Sequence, residues 1–251
     1  MDPEALKIKI NAGDSVSALV YAADQKKRVS TTIILGHGAG AGQLAPVMQL
    51  FARGLASRGF DALTFNFLYM EQGKKVPDRN DKLELCYRAV IDAAAKHKKL
   101  KKNRVVIGGK SMGGRIASQV AAYFANHPDV NDDSKGIGDT WLIPTIAGLV
   151  FLGYPLHPPG RPDKLRDAHL KDIKAPMLFI QGSRDAFGTT DEIRDLIKRV
   201  KLPASLYAIE GGDHSFKVPK SIGIPQPQIY EMIEDEILRW LANSTIRLSD
   251  S

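Results

Sequence analysis

Ser111, Asp185 and His214 each follow an apolar run that ends in glycines. A serine hydroxyl is a weak nucleophile until a neighbouring imidazole accepts its proton. The imidazole in turn needs a carboxylate to fix its tautomer and stabilise its cation. The three residue types therefore suit one relay, with Ser111 as nucleophile, His214 as base and Asp185 as orienting acid. Ser111 lies in Gly109-Lys110-Ser111-Met112-Gly113, a G-x-S-x-G pattern whose meaning depends on its flanks. Val105-Val106-Ile107 reads as a buried strand, and Ser111 to Asn126 reads as a helix of small residues. The serine is thus expected at the apex of a strand–turn–helix, where glycines allow the sharp bend.

An oxyanion formed by attack from Ser111 needs donors that meet it. The N–H of Met112 follows the nucleophile directly. A second donor is expected from Gly36-His37-Gly38-Ala39-Gly40-Ala41-Gly42, whose HG-x-x-G form opens the backbone to a developing charge; Ala39 is assigned that role. This loop lacks the G-K-[ST] ending of a phosphate loop and is not G-x-G-x-x-G, so no nucleotide cofactor is expected. The six histidines form no H-x-x-x-H or H-E-x-x-H spacing, so no metal is expected either. Asp213 and Asp163 are rival acids. His37 and His157 are rival bases, although His37 belongs to the glycine loop and is better suited to support it. His37, Asn66, Tyr69, Tyr154 and His157 fall at strand ends and are expected to line a pocket. Lys110 is expected to point away from the oxyanion and pack or pair at the surface, or else to favour an acidic substrate. Cys86 sits on the inner stripe of a helix and reads as a packed thiol.

The elements that must position these groups are legible in the periodicity. Lys7–Ile10 and Val16–Tyr21 alternate around a turn at 11–14, as an antiparallel edge hairpin does. Strands are expected at 31–35, 62–67, 105–107, 147–152, 177–181 and 205–209, with helices at 43–58, 83–95, 111–126, 191–201 and 227–242. Strands alternating with helices, without repeat or break in composition, give an α/β class: a mostly parallel twisted sheet of about seven to eight strands, with helices on both faces. All parallel strand ends then share one rim. Residues 1–251 are read as one domain. Segment 127–144 is read as an irregular excursion or small lid, with Trp141 a candidate cover, and 244–251 as a flexible tail.

Of the 251 residues, 43% are hydrophobic and 25% charged, which suits a globular core rather than a disordered chain. The net charge of +7 raises a nucleic-acid reading, but Lys96, Lys98, Lys99, Lys101, Lys102 and Arg104 end one helix, where cations complement its dipole. No aromatics interleave with them as single-strand binding would favour, so a nucleic-acid partner is not expected. No apolar run reaches membrane-spanning length, the first residues MDPEALKIKI do not read as a signal segment, and one cysteine suits a reducing compartment. A cytoplasmic location is the expectation, and a protein partner is left open.

GHGAGAG, GGKSMGGR, FLGYPLHPPGRPDKLR, FIQGSRDAFG and GGDHSF together resemble the α/β-hydrolases. Within them they resemble a branch related to dienelactone hydrolases. That branch includes the testis-expressed hydrolase-like proteins and the hydrolase-like domain of a non-specific-lethal chromatin complex subunit. The resemblance implies the α/β-hydrolase fold, with Ser111, Asp185 and His214 as the triad and the Gly38-Ala39 turn in the oxyanion role. Dienelactone hydrolases proper use a cysteine nucleophile where this chain has Ser111, so their substrate does not carry over. The expected activity is cleavage of a small-molecule ester or thioester of small to medium acyl group. The alternatives are a non-catalytic binding or scaffold protein, and a peptidase of the prolyl-oligopeptidase type.

Overall fold

A computed structural model of the chain describes residues 2–127 and 142–249, with side chains as far as residue 243. The strands are β1 (Glu4–Lys9), β2 (Ser15–Tyr21), β3 (Thr31–Gly36), β4 (Asp61–Phe65), β5 (Arg104–Lys110), β6 (Ile146–Leu152), β7 (Met177–Gly182) and β8 (Ala204–Ile209). The helices are α1 (Pro46–Ser57), α2 (Leu68–Glu71), α3 (Asn80–Lys96), α4 (Met112–Asn126), α5 (Thr190–Val200) and α6 (Gln226–Ser249). Among the described residues the strands form a single eight-stranded sheet in the order β1-β2-β4-β3-β5-β6-β7-β8. β2 runs antiparallel to β1 and β4, and the remaining pairs are parallel. The carboxyl ends of β3, β5, β6, β7 and β8 therefore meet at one edge.

β3 and β7 are buried at every position, as strands covered on both faces must be. One apolar layer packs α3, α4 and α5 onto the sheet, and it includes Tyr87, Val90, Ile116, Val120 and Ile193. The other packs α1 and α6, through Phe51, Leu55, Ile233, Ile237 and Trp240. Cys86 lies in the first layer, fully buried, and burial pushes its thiol up to about 12. In the basic segment that leads into β5, Lys96 pairs with Asp92 and Lys99 with Glu4. No described helix is long and apolar enough to cross a membrane.

Several boundaries differ from the expected ones, and three of the differences bear on the argument. α1 starts at Pro46 rather than at 43, because Pro46 occupies its first turn and holds Ala45 in an extended conformation (φ −57°, ψ 138°). β4 stops at Phe65: the Asn66 N–H still meets the Ser17 carbonyl opposite it on β2, but the Phe67 N–H leaves the ladder for His37 Nε2. The short α2 follows at once. The last helix continues past Ala242 to Ser249, so the segment expected to be a tail is helical to that point. Trp141 and most of the excursion lie outside the described residues.

The tightest packing is under the serine. A Cβ on Gly113 would come within 2.1 Å of the Gly36 carbonyl oxygen, and so would one on Gly109, where φ is +148°. Both obstacles are backbone of β3 and cannot swing aside. Gly113→Ala is expected to lower the denaturant midpoint by the equivalent of about 1–3 kcal/mol or more, as overpacking does. A midpoint equal to wild type would show that β3 and α4 are not in this contact.

Candidate active site

The turn from β5 into α4 holds Ser111 at φ 52°, ψ −117°, a conformation that costs a non-glycine residue about 1–3 kcal/mol. It is locked by hydrogen bonds on both sides, from the Ser111 N–H to the Leu152 carbonyl and from the Arg115 N–H to the Ser111 carbonyl. The hydroxyl is thereby lifted off the strand at the positive end of α4. Ser111 Oγ stands 2.8 Å from His214 Nε2, and His214 Nδ1 stands 2.7 Å from Asp185 Oδ2. The carboxylate can only accept, so Nδ1 carries the proton and Nε2 is free to take one from the hydroxyl.

Asp185 is buried and held in register. Its Oδ1 accepts the Phe187 N–H at 2.8 Å, and its Oδ2 accepts from Gln181 Nε2 at 2.9 Å. Gln181 is itself fixed, since its Oε1 accepts the Tyr154 N–H. The loops after β7 and β8 also bond to each other, through Ser183 N–H to the Ile209 carbonyl and Arg184 N–H to the Gly212 carbonyl. The Phe187 ring packs on the imidazole with a centroid separation of 4.3 Å.

The rival acids stand elsewhere. Asp213 builds the histidine's own turn, its Oδ1 accepting the N–H groups of Ser215 and Lys217. Asp163 pairs with Arg161 at the surface. His37 is buried and holds the glycine loop, with Nδ1 donating to the Gly38 carbonyl and Nε2 accepting from Phe67 N–H. Burial lowers its pKa to about 4, which keeps it neutral.

A cleft of about 620 Å³ opens over Ser111, with Ala39 and Met112 on its wall. The Met112 N–H is the first of α4 and has no acceptor within the helix. The expected pocket residues do not line this cleft, and each is engaged instead in holding a loop. Asn66 Oδ1 accepts the Gln43 N–H and its amide donates to Glu71. The Tyr69 hydroxyl donates to the Ala39 carbonyl, bracing the turn assigned to the oxyanion. Tyr154 is fully buried and donates to the Arg166 carbonyl. His157 is buried beside α5, with Nε2 at 3.1 Å from Glu192, the residue that closes the capping box at the start of that helix. Being polar at a strand end is not sufficient to face the rim, because loop backbone must also be satisfied and these side chains do it.

The residues that do line the cleft include Leu83, Pro155, Leu165 and Phe187 on the apolar side and Asp78, Arg115 and Arg166 on the polar side. Arg115 had a signal in the sequence: it lies four residues after Ser111, one helical turn along the same face. Lys110 corrects another expectation, since it is buried and does not pair at the surface.

Residues 29–242 match the alpha/beta hydrolase domain family. The chain belongs to that family. Its fold is similar to a serine hydrolase homologue from Coxiella burnetii, at 17% identity over 95% of this chain and 97% of that one, with a TM-score of 0.69. It is equally similar to a dienelactone hydrolase from Anabaena variabilis, at 17% identity over 97% and 99% of the two chains, TM-score 0.69. Est1E from Butyrivibrio proteoclasticus matches at 14% identity over 96% and 99%, TM-score 0.69. The eight-stranded, mostly parallel sheet and its antiparallel first hairpin fit that fold.

Proposed function

We propose that this α/β-hydrolase is a serine hydrolase that cleaves a carboxylic ester or thioester of small to medium acyl group. The observation that carries the reading is the unbroken chain Ser111 Oγ, His214, Asp185, with contacts of 2.8 and 2.7 Å. Ser111 Oγ attacks the carbonyl carbon while His214 Nε2 takes its proton. The Ala39 and Met112 N–H groups hold the oxyanion; losing one such donor typically costs about 3–4 kcal/mol of transition-state stabilisation. Collapse expels the alcohol or thiol with the proton from His214 and leaves an acyl-enzyme. Water then attacks, His214 takes its proton, and the acid departs as the proton returns to Ser111. The test is a fluorophosphonate probe with a panel of p-nitrophenyl esters of graded chain length. Labelling and turnover are expected. No labelling overturns the reading, and labelling without turnover on any ester favours a binding role.

The cleft's lining bears on the acyl group. Arg115 hydrogen-bonds to the neutral amides of Gln119 and Asn80, and neither it nor Arg166 has a carboxylate in ion-pair contact among the described residues. Burial is the main cause that lowers the pKa of Arg115; like-charge repulsion from Arg166 lowers it further, while Tyr154 and Glu84 act in the opposite direction. An acyl group with a terminal carboxylate would relieve that repulsion. Arg115→Met is expected to raise KM about 10-fold for the half-ester of a dicarboxylic acid, the scale of a charge-assisted hydrogen bond, and to leave an uncharged ester of equal length unchanged. Equal effects on both esters would remove the carboxylate preference from the reading.

A further inference from the structure

Lys110 ends β5 immediately before the nucleophile, yet its side chain reaches the loop after β8. Nζ donates a 2.6 Å hydrogen bond to the backbone carbonyl of His214. The niche around it is closed, and Lys110 is 9% exposed. The Phe216 ring centroid lies 5.4 Å from Nζ. On the other side is Gly153, where a Cβ would come within 3.0 Å of Nζ and 3.4 Å of His214 Nδ1. Glycine at 153 thus leaves the space that the ammonium fills.

Gly211 and Gly212 tie the start of the histidine loop to the β7 loop, and the residues around the histidine are tied among themselves. Asp213 accepts from Ser215 and Lys217 through its carboxylate, and its carbonyl accepts the Phe216 N–H. Those bonds fix the loop's shape but not its distance from β5. The imidazole must bridge two partners on different strand ends, so that distance decides whether Nε2 meets Ser111 Oγ.

We propose that Lys110 is a positioning residue for the base: its ammonium clamps the His214 carbonyl and so keeps the imidazole in line between Asp185 and Ser111. One strand end then carries the nucleophile and, one residue earlier, the anchor of its base. The proposal rests on the serine-hydrolase reading above.

The charge strengthens the clamp but does not help the fold. Burial lowers the pKa of Lys110 from 10.5 to about 8, while Asp185 and Asp213 oppose that shift. Between those values the folded chain binds fewer protons than the unfolded one, so this group's contribution to stability rises with pH. The clamp weakens over the same range, because a neutral amine makes a weaker hydrogen bond than an ammonium. The groups facing Nζ are Asp185 from the β7 loop, Asp213 and His214 from the β8 loop, and Gly153 after β6, which does not titrate. The carboxylates and the imidazole all act in their deprotonated forms, so an alkaline decline in rate belongs to Lys110.

The experiment compares wild type with Lys110→Met on a short p-nitrophenyl ester. It also records the downfield proton resonance of His214 Nδ1, which reports the Asp185 bond without any substrate. The variant is expected to lose kcat on the order of 10²-fold, the scale of a misplacement of about 1 Å, with KM little changed. Its thermal midpoint is not lowered, and its Nδ1 resonance is broadened or lost. Unchanged kcat and resonance overturn the proposal, as does a lowered midpoint with unchanged kcat, which would mark a merely structural lysine. If Lys110→Met does not fold, the wild type decides. Its kcat and resonance must weaken as pH passes through about 8, and a flat profile overturns the clamp. A resonance that responds in a wild type unlabelled by fluorophosphonate sinks the hydrolase reading alone; labelling with an indifferent Lys110→Met sinks the clamp alone.

Discussion

Ser111→Ala is expected to abolish fluorophosphonate labelling and to lower kcat for ester hydrolysis by about 10⁶-fold, the loss seen when a subtilisin is deprived of its serine. The variant removes one oxygen and its 2.8 Å contact with His214 Nε2. It leaves the Cβ, and so keeps the strained turn at φ 52° together with the bonds to Leu152 and Arg115 that hold it. Thermal unfolding should therefore be nearly unchanged while activity disappears. That separation distinguishes a lost nucleophile from a damaged fold. A variant that still turns over ester at a tenth of the wild-type rate would place the nucleophile elsewhere.

The meeting of Ser111, His214 and Asp185 was legible in the sequence because each of the three residues carries a local mark. Ser111 has a strand before it and a small-residue helix after it, and Asp185 and His214 end apolar runs. A parallel sheet brings such ends together whatever the loop lengths between them. The pocket was not legible for the opposite reason. Tyr69, Tyr154 and His157 have the composition of binding residues, but each is used to satisfy loop backbone or a helix start, as the bonds to Ala39, Arg166 and Glu192 show. Whether a side chain faces the cleft or the loop beneath it depends on the loop's path, which periodicity does not encode. Gln181 gave no signal in the sequence beyond closing an expected strand, and its partners, Asp185 and Tyr154, are contacts of the folded chain. Lys110 was visible beside the serine, but its partner lies 104 residues away.

Asp185→Asn is expected to lower kcat at neutral pH by about 10⁴-fold with the fold intact, as the loss of the correct tautomer does in a related relay. Oδ2 now accepts two donors, His214 Nδ1 at 2.7 Å and Gln181 Nε2 at 2.9 Å, and Oδ1 accepts a third, the Phe187 N–H. An asparagine can keep only one of these positions as oxygen. If its oxygen stays on Phe187, its NH₂ meets the imidazole, which must then accept at Nδ1 and carry its proton on Nε2. A hydrogen in that place faces Ser111 Oγ, and the base is gone. If the amide flips, its NH₂ opposes the Phe187 N–H and the loop that carries the residue is disturbed. Gln181 retains the Gly188 carbonyl as an acceptor in either case, so the core below survives. The matching control is Asp213→Asn, where one oxygen suffices for the bonds from Ser215 and Lys217. It should keep most of its activity. Comparable losses in the two variants, or a larger loss at Asp213, would transfer the orienting role to the acid beside the histidine. A selective collapse at Asp185 would assign it to the carboxylate that the β7 loop delivers.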